Sequence, residues 1–531
     1  MKKTYNILTE GFLEDEDTII DRILDARKIQ DPYHFLNPND DDLLPYETLT
    51  NFDQARQVMA AALKNSNTHY YLSVDSDTDG VTSGAIMYRW LRANGAENIS
   101  YFVSQGKTHG LSADLVEDVR KKKPDLLIVM DSLDSTIDHY REVSEMGIQV
   151  IVLDHHDVSP DIPYEKYVTL VSSYNTANPF LSGAGVVWKF CCSLDEDDFT
   201  FNCLADLAAV GLVADVMDMS EDSMENRFIV SHGLNSRCSR AIEKIIGSYQ
   251  FNSNSIVFSI APLINAACRY FENDTAFEMF ISDDDRVISR CLKVLKNCKE
   301  QQNIDVRAIK SELSQHIEEQ KDYPFLFLPI ETEWGISGLI ANQILNQFKK
   351  PTFVVRKRNG MFSGSGRAAG INLREICNEI VPTARGMGHP QAFGFEVSPE
   401  YIYSFHESMI KALEEISFDF SDDIDCELAT EDVTRELING VRMIDWITGE
   451  GFRPLKFLIR EESMSVRTMT NGKHLVFESA DGMLFIKWNA GNQMENYADK
   501  TRFCFTGTLD AGYFGRKWSR RMIVDSVEAI E

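Results

Sequence analysis

The chain has 531 residues, of which 44% are hydrophobic and 25% charged, with 31 Phe, 18 Tyr and 6 Trp. This is ordinary globular composition, which excludes a disordered, collagen-like or small disulfide-stapled chain and predicts about three or four domains. The formal net charge of −29, from 82 acids against 53 bases, speaks against a simple nucleic-acid binder with a basic surface. No apolar run reaches the ~18 residues of a membrane span, and no apolar signal core follows Met1. The expectation is a soluble cytoplasmic protein. Its ten cysteines form no C-x-x-C pair, so buried free thiols are expected rather than a zinc site or a disulfide framework.

In chain order, an acidic N-terminal segment, residues 1–55, precedes an α/β pattern. Apolar runs at 70–74, 100–103, 126–130 and 150–153 alternate with helical stretches, which predicts a parallel sheet with crossover helices. Three of these runs lead into an acid: Asp75, Asp131 and Asp154. Ligands of open parallel sheets bind beyond the carboxyl ends of the strands, so the three carboxylates can converge. Helices are expected over much of 185–260. A charged helical stretch, 284–322, reads as a connector, and a second α/β pattern occupies 323–420. The remainder, 425–531, has short alternating strands at 473–477, 483–488, 502–506 and 521–524, which suits a small barrel or sandwich.

The first motif places Asp75, Asp77 and Asp79 at alternate positions before Gly80. A calcium EF-hand loop is the competing reading. It requires a bidentate Glu at its twelfth position and a preceding helix; here the twelfth residue is Ile86 and a strand precedes. The aspartates instead fall on a strand-to-helix turn. The adjacent histidines of Asp154-His155-His156 point in different directions, one free to bind metal and the other to face substrate. Asp215 ends an apolar helical stretch, 207–216, and an acid there is costly to bury unless paired or bound to a cation. Between 334 and 374 stand Lys349, Lys350, Arg356, Lys357, Arg358, Arg367 and Arg374, with no acid among them. In so acidic a chain that window reads as an anion-binding face.

In this order the motifs resemble the DHH phosphoesterase superfamily, named for the run matched here by Asp154-His155-His156. The longer pattern resembles RecJ-type single-strand-specific 5′ to 3′ DNA exonucleases. The similar segments are Phe35-Leu36-Asn37-Pro38, the run 262–269 ending in Arg269, the run 334–341, Gly364-Ser365-Gly366-Arg367, Gly386-Met387-Gly388-His389 and the region 425–531. Leu263 and Cys268 depart from the family pattern, and Lys107 stands where an arginine is usual. So spread a resemblance fits a divergent member, including one carried by a phage.

The resemblance implies an α/β fold with these parts. A parallel-sheet DHH domain (56–283) carries the N-terminal segment, a long helix (284–322) joins it to a smaller α/β DHHA-type domain (323–420), and an OB-like β-barrel (425–531) binds single strands. It implies two divalent ions, Mn²⁺ first and Mg²⁺ second. Asp131 would bridge them, Asp77 with Asp75 would serve one, and Asp79, His155 and Asp215 the other. His156 would contact the scissile phosphate or move a proton, with Asp154 orienting the histidines. Ser365, Arg367, Gly388, His389, Lys107 and Arg269 would bind substrate. The expected partners are single-stranded DNA and a single-strand-binding protein or a helicase, with the chain a monomer and no membrane involved. In the C-terminal region, Tyr513, Phe514, Arg516, Lys517, Trp518, Arg520 and Arg521 interleave aromatics and bases, as on a single-strand-binding surface, though an amphipathic barrel strand would read the same way.

Two other functions fit parts of the pattern. A DHH phosphodiesterase of short oligonucleotides or cyclic dinucleotides would need no third domain, and the C-terminal 107 residues favour a polymer. A non-catalytic DHH scaffold would be expected to lose metal ligands, and here Asp75, Asp77, Asp79, Asp131, His155, His156 and Asp215 are all present.

Overall fold

The structure is a computed structural model. It describes residues 5–10, 18–105, 110–134, 136–236, 239–331, 335–358, 360–414, 416, 422–462, 464–514 and 517–530. The chain divides into two compact units, one of residues 1–103, 109–261 and 421–531, the other of 104–108 and 262–420. The region 425–531 thus shares a unit with the sheet that carries the aspartates, and the division near 261/262 falls earlier than the 283/284 boundary expected from sequence.

The first unit is built on a five-stranded sheet in the order Ile99–Val103, Tyr70–Val74, Leu126–Met130, Gln149–Asp154, Thr169–Ser172. All its pairings are parallel. Tyr70–Val74 and Leu126–Met130 are buried along their whole length, as strands covered on both faces must be. After Ile99–Val103 the chain crosses back over Tyr70–Val74 to form Leu126–Met130 on its other side. The strand order therefore reverses between these two strands, where α/β sheets place their ligands. Helices Gly183–Cys192 and Ala205–Ala214 are almost wholly buried, which explains why their sequences show no polar face.

The same unit holds an eight-stranded sheet in which Tyr5–Glu10 pairs in parallel with Asp422–Leu428. The N-terminal strand is thus an edge of the C-terminal sheet. The short strands expected near 502–506 and 521–524 are parts of a long antiparallel pair, Phe503–Phe514 with Lys517–Ala529, bulged at Thr506/Gly507. Phe477, Phe485, Phe503 and Phe505 pack its interior face, with ring centroids 4.2–5.8 Å apart. Buried Asp425 anchors the N-terminal segment, accepting from Arg27 Nε at 2.8 Å and from Arg453 Nη1 at 2.7 Å.

In the second unit the connector is the helix Asp285–Glu312, followed by Ser314–Glu319. Its buried residues Ile288, Cys291, Leu292, Leu295, Cys298, Gln302 and Val306 repeat at helical spacing. A mixed five-stranded sheet follows, in the order Arg385–Gly388, Ala392–Val397, Met361–Arg367, Thr352–Arg358, Leu326–Pro329. Phe325, Phe353, Phe395 and Phe405 fill its core. A side-chain amide closes each edge: Gln320 exchanges two hydrogen bonds with the backbone of Phe327, and Asn378 does the same with Gly386.

Candidate metal centre and anion site

The parallel register sets Val74 beside Met130 and Met130 beside Leu153. The next residue along each strand is therefore Asp75, Asp131 or Asp154, and the three carboxylates meet at one sheet end. Asp131 itself takes left-handed backbone, φ +55°. That conformation is uncommon for a non-glycine residue and tends to be found at functional sites. Asp77 caps the helix Thr78–Ala93, accepting from Gly80 N at 3.0 Å. A Cβ on Gly80 would stand 2.5 Å from Asp75 Cβ, so the turn closes only with glycine there. Asp79 is buried and accepts from Gly183 N (2.6 Å) and Ala184 N (3.0 Å) at the start of the helix Gly183–Cys192. These amide donors are absent from the sequence reading, although the small-residue run 182–185 is their signal. Ser132 is also missing from it. Ser132 is buried, donates to Asp75 Oδ1 at 3.1 Å and accepts from Gly110 N at 2.8 Å.

Asp154 is fully buried. Its Oδ1 accepts from the amides of His155 (2.6 Å) and His156 (2.8 Å) and lies 2.7 Å from His156 Nδ1. Burial works to raise its pKa, but the charge and hydrogen bond of His156 outweigh burial and hold Asp154 far below the usual carboxylate range. In turn burial opposes the charge on His156, while Asp154 wins and lifts its pKa to about 9. His155 Nε2 stands 3.2 Å from Asp131 Oδ1 and 3.5 Å from Asp215 Oδ2. His156 is the more open of the pair, with 45% of its side chain exposed against 10% for His155.

Among the described residues three groups offer ligand atoms within 4.8 Å of one another: Asp75, Asp77 and Asp131; Asp79, His155 and Asp215; and Asp131, Asp154, His155 and His156. Asp131 belongs to two of them. Burial, then the neighbouring carboxylates, push Asp75 and Asp131 well above the ordinary range, Asp79 to about 7 and Asp215 to about 8. So many carboxylates turned toward each other outweigh the charge of His156, and divalent cations supply the balance. Mixed carboxylate and imidazole donors suit Mn²⁺, with Mg²⁺ as the harder alternative.

The second unit holds the other predicted residues. Ser365, on the strand Met361–Arg367, is 8% exposed with its Oγ 3.0 Å from Ser337 Oγ, at the start of the helix Ser337–Phe348. Arg367 ends that strand, and its Nη1 donates to Gly366 O at 2.7 Å. A Cβ on Gly338 would meet Arg367 Nη2 at 2.6 Å, so glycine there leaves the guanidinium its space. Burial and then the charge of Arg269 lower the Arg367 pKa, and the same two causes lower that of Lys299. Arg269 is therefore within electrostatic reach of both Lys299 and Arg367. Lys299 lies on the connector helix and is not among the site residues expected from the sequence. Gly388, at φ +120°, lines an open cleft of about 410 Å³ together with Asn372, Arg374 and Met387, and His389 follows it. Lys107 lies outside the described residues.

Residues 69–212 match the family model described as the DHH family, N-terminal domain. The metal-ligand candidates Asp75, Asp77, Asp79, Asp131 and His155 lie inside the matched span. The chain's likeness to RecJ runs further along its length. It is 27% identical over 456 residues, 78% of each chain, to the putative SPbeta prophage-derived single-strand DNA-specific exonuclease YorK of Bacillus subtilis. It is 24% identical over 526 residues, 93% of this chain and 65% of the relative, to the single-stranded-DNA-specific exonuclease RecJ of the same organism. The crystal structure of RecJ in complex with Mn²⁺ from Thermus thermophilus shares the fold, with TM-score 0.76 and 22% identity over 96% of this chain and 76% of that one. Among the described residues no helix is long and apolar enough to cross a membrane.

Proposed function

We propose that this chain is a metal-dependent exonuclease that hydrolyses single-stranded DNA in the 5′ to 3′ direction. The observation that carries the proposal is the junction at Asp131. Asp131 belongs to the group of Asp75 and Asp77, and its Oδ1 lies 3.2 Å from His155 Nε2, which belongs to the group of Asp79 and Asp215. The matched DHH span holds all of these but Asp215, and the relatives are named single-strand DNA exonucleases.

Asp75, Asp77 and Asp131 would hold one ion, and Asp79, His155 and Asp215 the other, with Asp131 between them. When bound, the pair of ions supplies a water acidic enough to lose its proton near neutral pH and neutralises charge on the transferring phosphoryl group. The chain's own residues do the rest. Asp154 fixes the ring of His156 through Nδ1 and favours its protonated form, which leaves Nε2 to donate to a phosphoryl oxygen or to the leaving oxygen. The amides of Gly183 and Ala184 hold Asp79 in place. Ser132 holds Asp75 and ties it to the backbone at Gly110.

Ser365 and Arg367, with Arg269, His389 and Lys107, are the residues for a terminal 5′-phosphate. Arginine binds a phosphate through two parallel hydrogen bonds. A terminal phosphate differs from an internal one by its extra charge, and Arg367, with the charge of Arg269 within reach of it, would read that difference. The region 425–531 would add affinity for single strands. All of these residues come from one chain, so the monomer is the expected active unit. A single-strand-binding protein or a helicase is the expected partner, in the cytoplasm where the DNA is.

The test is degradation of 5′-labelled single- and double-stranded DNA with Mn²⁺ and with chelator. Loss of single strands from the 5′ end, dependent on Mn²⁺ and abolished in Asp131→Ala, is expected. Near-normal turnover by that variant at saturating Mn²⁺ would refute the two-ion assignment.

A further inference from the structure

The helix Ala205–Ala214 delivers Asp215 to the metal site and then ends abruptly. Met217 N donates to Leu212 O at 3.1 Å and Val216 N to Val213 O at 3.3 Å. These two hydrogen bonds define a Schellman ending, in which Val216 occupies the left-handed position usually given to glycine. Val216 has φ +58° and is 58% exposed. A branched side chain resists that backbone, and its own packing does not compensate. Such strain persists where surrounding structure over-determines the conformation.

The surroundings that do so come from the far end of the chain. Met219 N donates to Glu450 O at 2.8 Å, and Asp218 forms an isolated parallel bridge with Glu450. Glu450 sits in a turn closed by hydrogen bonds between Gly449 and Phe452. Gly451 has φ +71°, and a Cβ there would stand 2.2 Å from Asp218 Oδ1 and 3.0 Å from Ser220 Cβ. A Cβ on Gly449 would meet Met219 Cγ at 2.7 Å. From the other side, Arg227 Nη1 donates to Met219 O (2.9 Å) and Asn226 Nδ2 to Asp218 O (3.0 Å). The turn is itself pinned, because the Phe452 ring lies 4.7 Å from both the Arg27 guanidinium and the Phe35 ring.

We propose that the turn 449–452 is a clamp that positions Asp215 for a divalent cation. By gripping residues 217–220 it holds the strained helix ending, and the C-terminal region becomes part of the apparatus that builds the metal site. Gly449 and Gly451 are its positioning residues. The inference rests on the assignment of Asp215 as a metal ligand.

The experiment is a Mn²⁺ titration of the full chain by calorimetry, beside kcat and KM on single-stranded DNA. Gly451→Ala drives a methyl into Asp218 and should weaken Mn²⁺ binding by about tenfold or more, the scale of outer-shell losses at metal sites. Its kcat should fall while KM stays near wild type. Gly482→Ala is the control: it has the same sign of φ, +85°, with nothing within 4 Å of the added atom, so it bears the backbone cost without the contact. It should bind Mn²⁺ as the wild type does. Gly449→Ala meets Met219 Cγ at 2.7 Å and the backbone oxygen of Met217 at 3.2 Å, a looser contact than that at Gly451, and should fall between the two. Folded Gly451→Ala with the Mn²⁺ affinity of Gly482→Ala would overturn the proposal. If Gly451→Ala does not fold, wild-type Mn²⁺ affinity in Gly449→Ala overturns it instead. Asp215→Asn separates the two readings: unchanged Mn²⁺ binding there would remove the ligand assignment itself.

Discussion

The C-terminal sheet and the basic window 349–374 of the second unit both carry many bases, and they treat them differently. In the C-terminal region Arg442 pairs with Asp510 at 2.7 Å, Arg520 with Asp481 at 2.6 Å, Arg453 with buried Asp425 at 2.7 Å, and Arg460, Arg467, Arg502 and Arg521 each meet a carboxylate. In the second unit, among the described residues, no ion pair involves Lys349, Lys357, Arg358, Arg367 or Arg374, and Lys357 and Arg358 are exposed. The metal-site aspartates are the mirror image, carboxylates that outnumber the two histidines gathered with them. Balanced charge holds a fold together, whereas like charge held together is costly and marks a site built for a ligand of opposite sign. A run of bases in a sequence therefore predicts binding only where no acids are placed to answer it.

Mutations can break this contrast. The largest effect expected is at Arg367. Arg367→Ala should cut the rate preference for 5′-phosphorylated over 5′-hydroxyl single strands by roughly tenfold or more, the worth of a charge-assisted hydrogen bond. An unchanged ratio, measured on both substrates, would move end recognition to Arg269, Lys299 or Lys107.

Titrating the mirror-image site sharpens the comparison. Folding raises Asp79 to about 7 and Asp215 to about 8, so the folded metal-free protein binds more protons than the unfolded chain above the ordinary carboxylate range. Its stability should fall as pH rises toward 8, and Mn²⁺ should cancel that loss. Because the ions displace those protons, Mn²⁺ affinity should rise roughly tenfold or more from about pH 6 to about pH 8. Affinity flat across that window would mean that the carboxylates titrate independently of the metal.

A smaller effect is expected from single bases. Lys357→Ala or Arg358→Ala should lower the slope of log affinity for single strands against log salt by about 0.7 for each phosphate that the base neutralises in the wild type. Arg460→Ala, whose partner is Glu427, should leave that slope alone. Equal slopes for all three would erase the distinction between the regions. Smallest of all, Arg442→Ala should cost about 0–1 kcal/mol in thermal or denaturant unfolding, because its pair with Asp510 is partly exposed and Arg521 also holds Asp510.

Much of the site is legible in the sequence because strand ends are. An apolar run followed by an acid places Asp75, Asp131 and Asp154, and the structure adds only their register. The parallel sheet reads the same way, apart from its short fifth strand, Thr169–Ser172. What the sequence hides is contact at long range. Nothing around Gly451 announces that it abuts Asp218, because a glycine's positive φ and the space beside it are tertiary facts. The amides of Gly183 and Ala184 hold Asp79 across 104 and 105 residues. Tyr5–Glu10 gives no sign that its partner strand lies near residue 425. The stretch 513–521 reads as aromatics interleaved with bases. In the fold Arg520 and Arg521 answer Asp481 and Asp510, and Trp518 lies 5.6 Å from the Arg435 guanidinium. Arg516 and the side chains of Tyr513, Phe514 and Lys517 lie outside the described residues.

The central claim is that two divalent ions share Asp131. It is tested most directly by counting Mn²⁺ bound per chain at about pH 8, by calorimetry or electron paramagnetic resonance, in the wild type and in Asp131→Ala. The account predicts two ions with magnetic coupling between them in the wild type, and loss of that coupling with much weaker binding in the variant. A single ion per chain, or two that are undisturbed by the substitution, would contradict it.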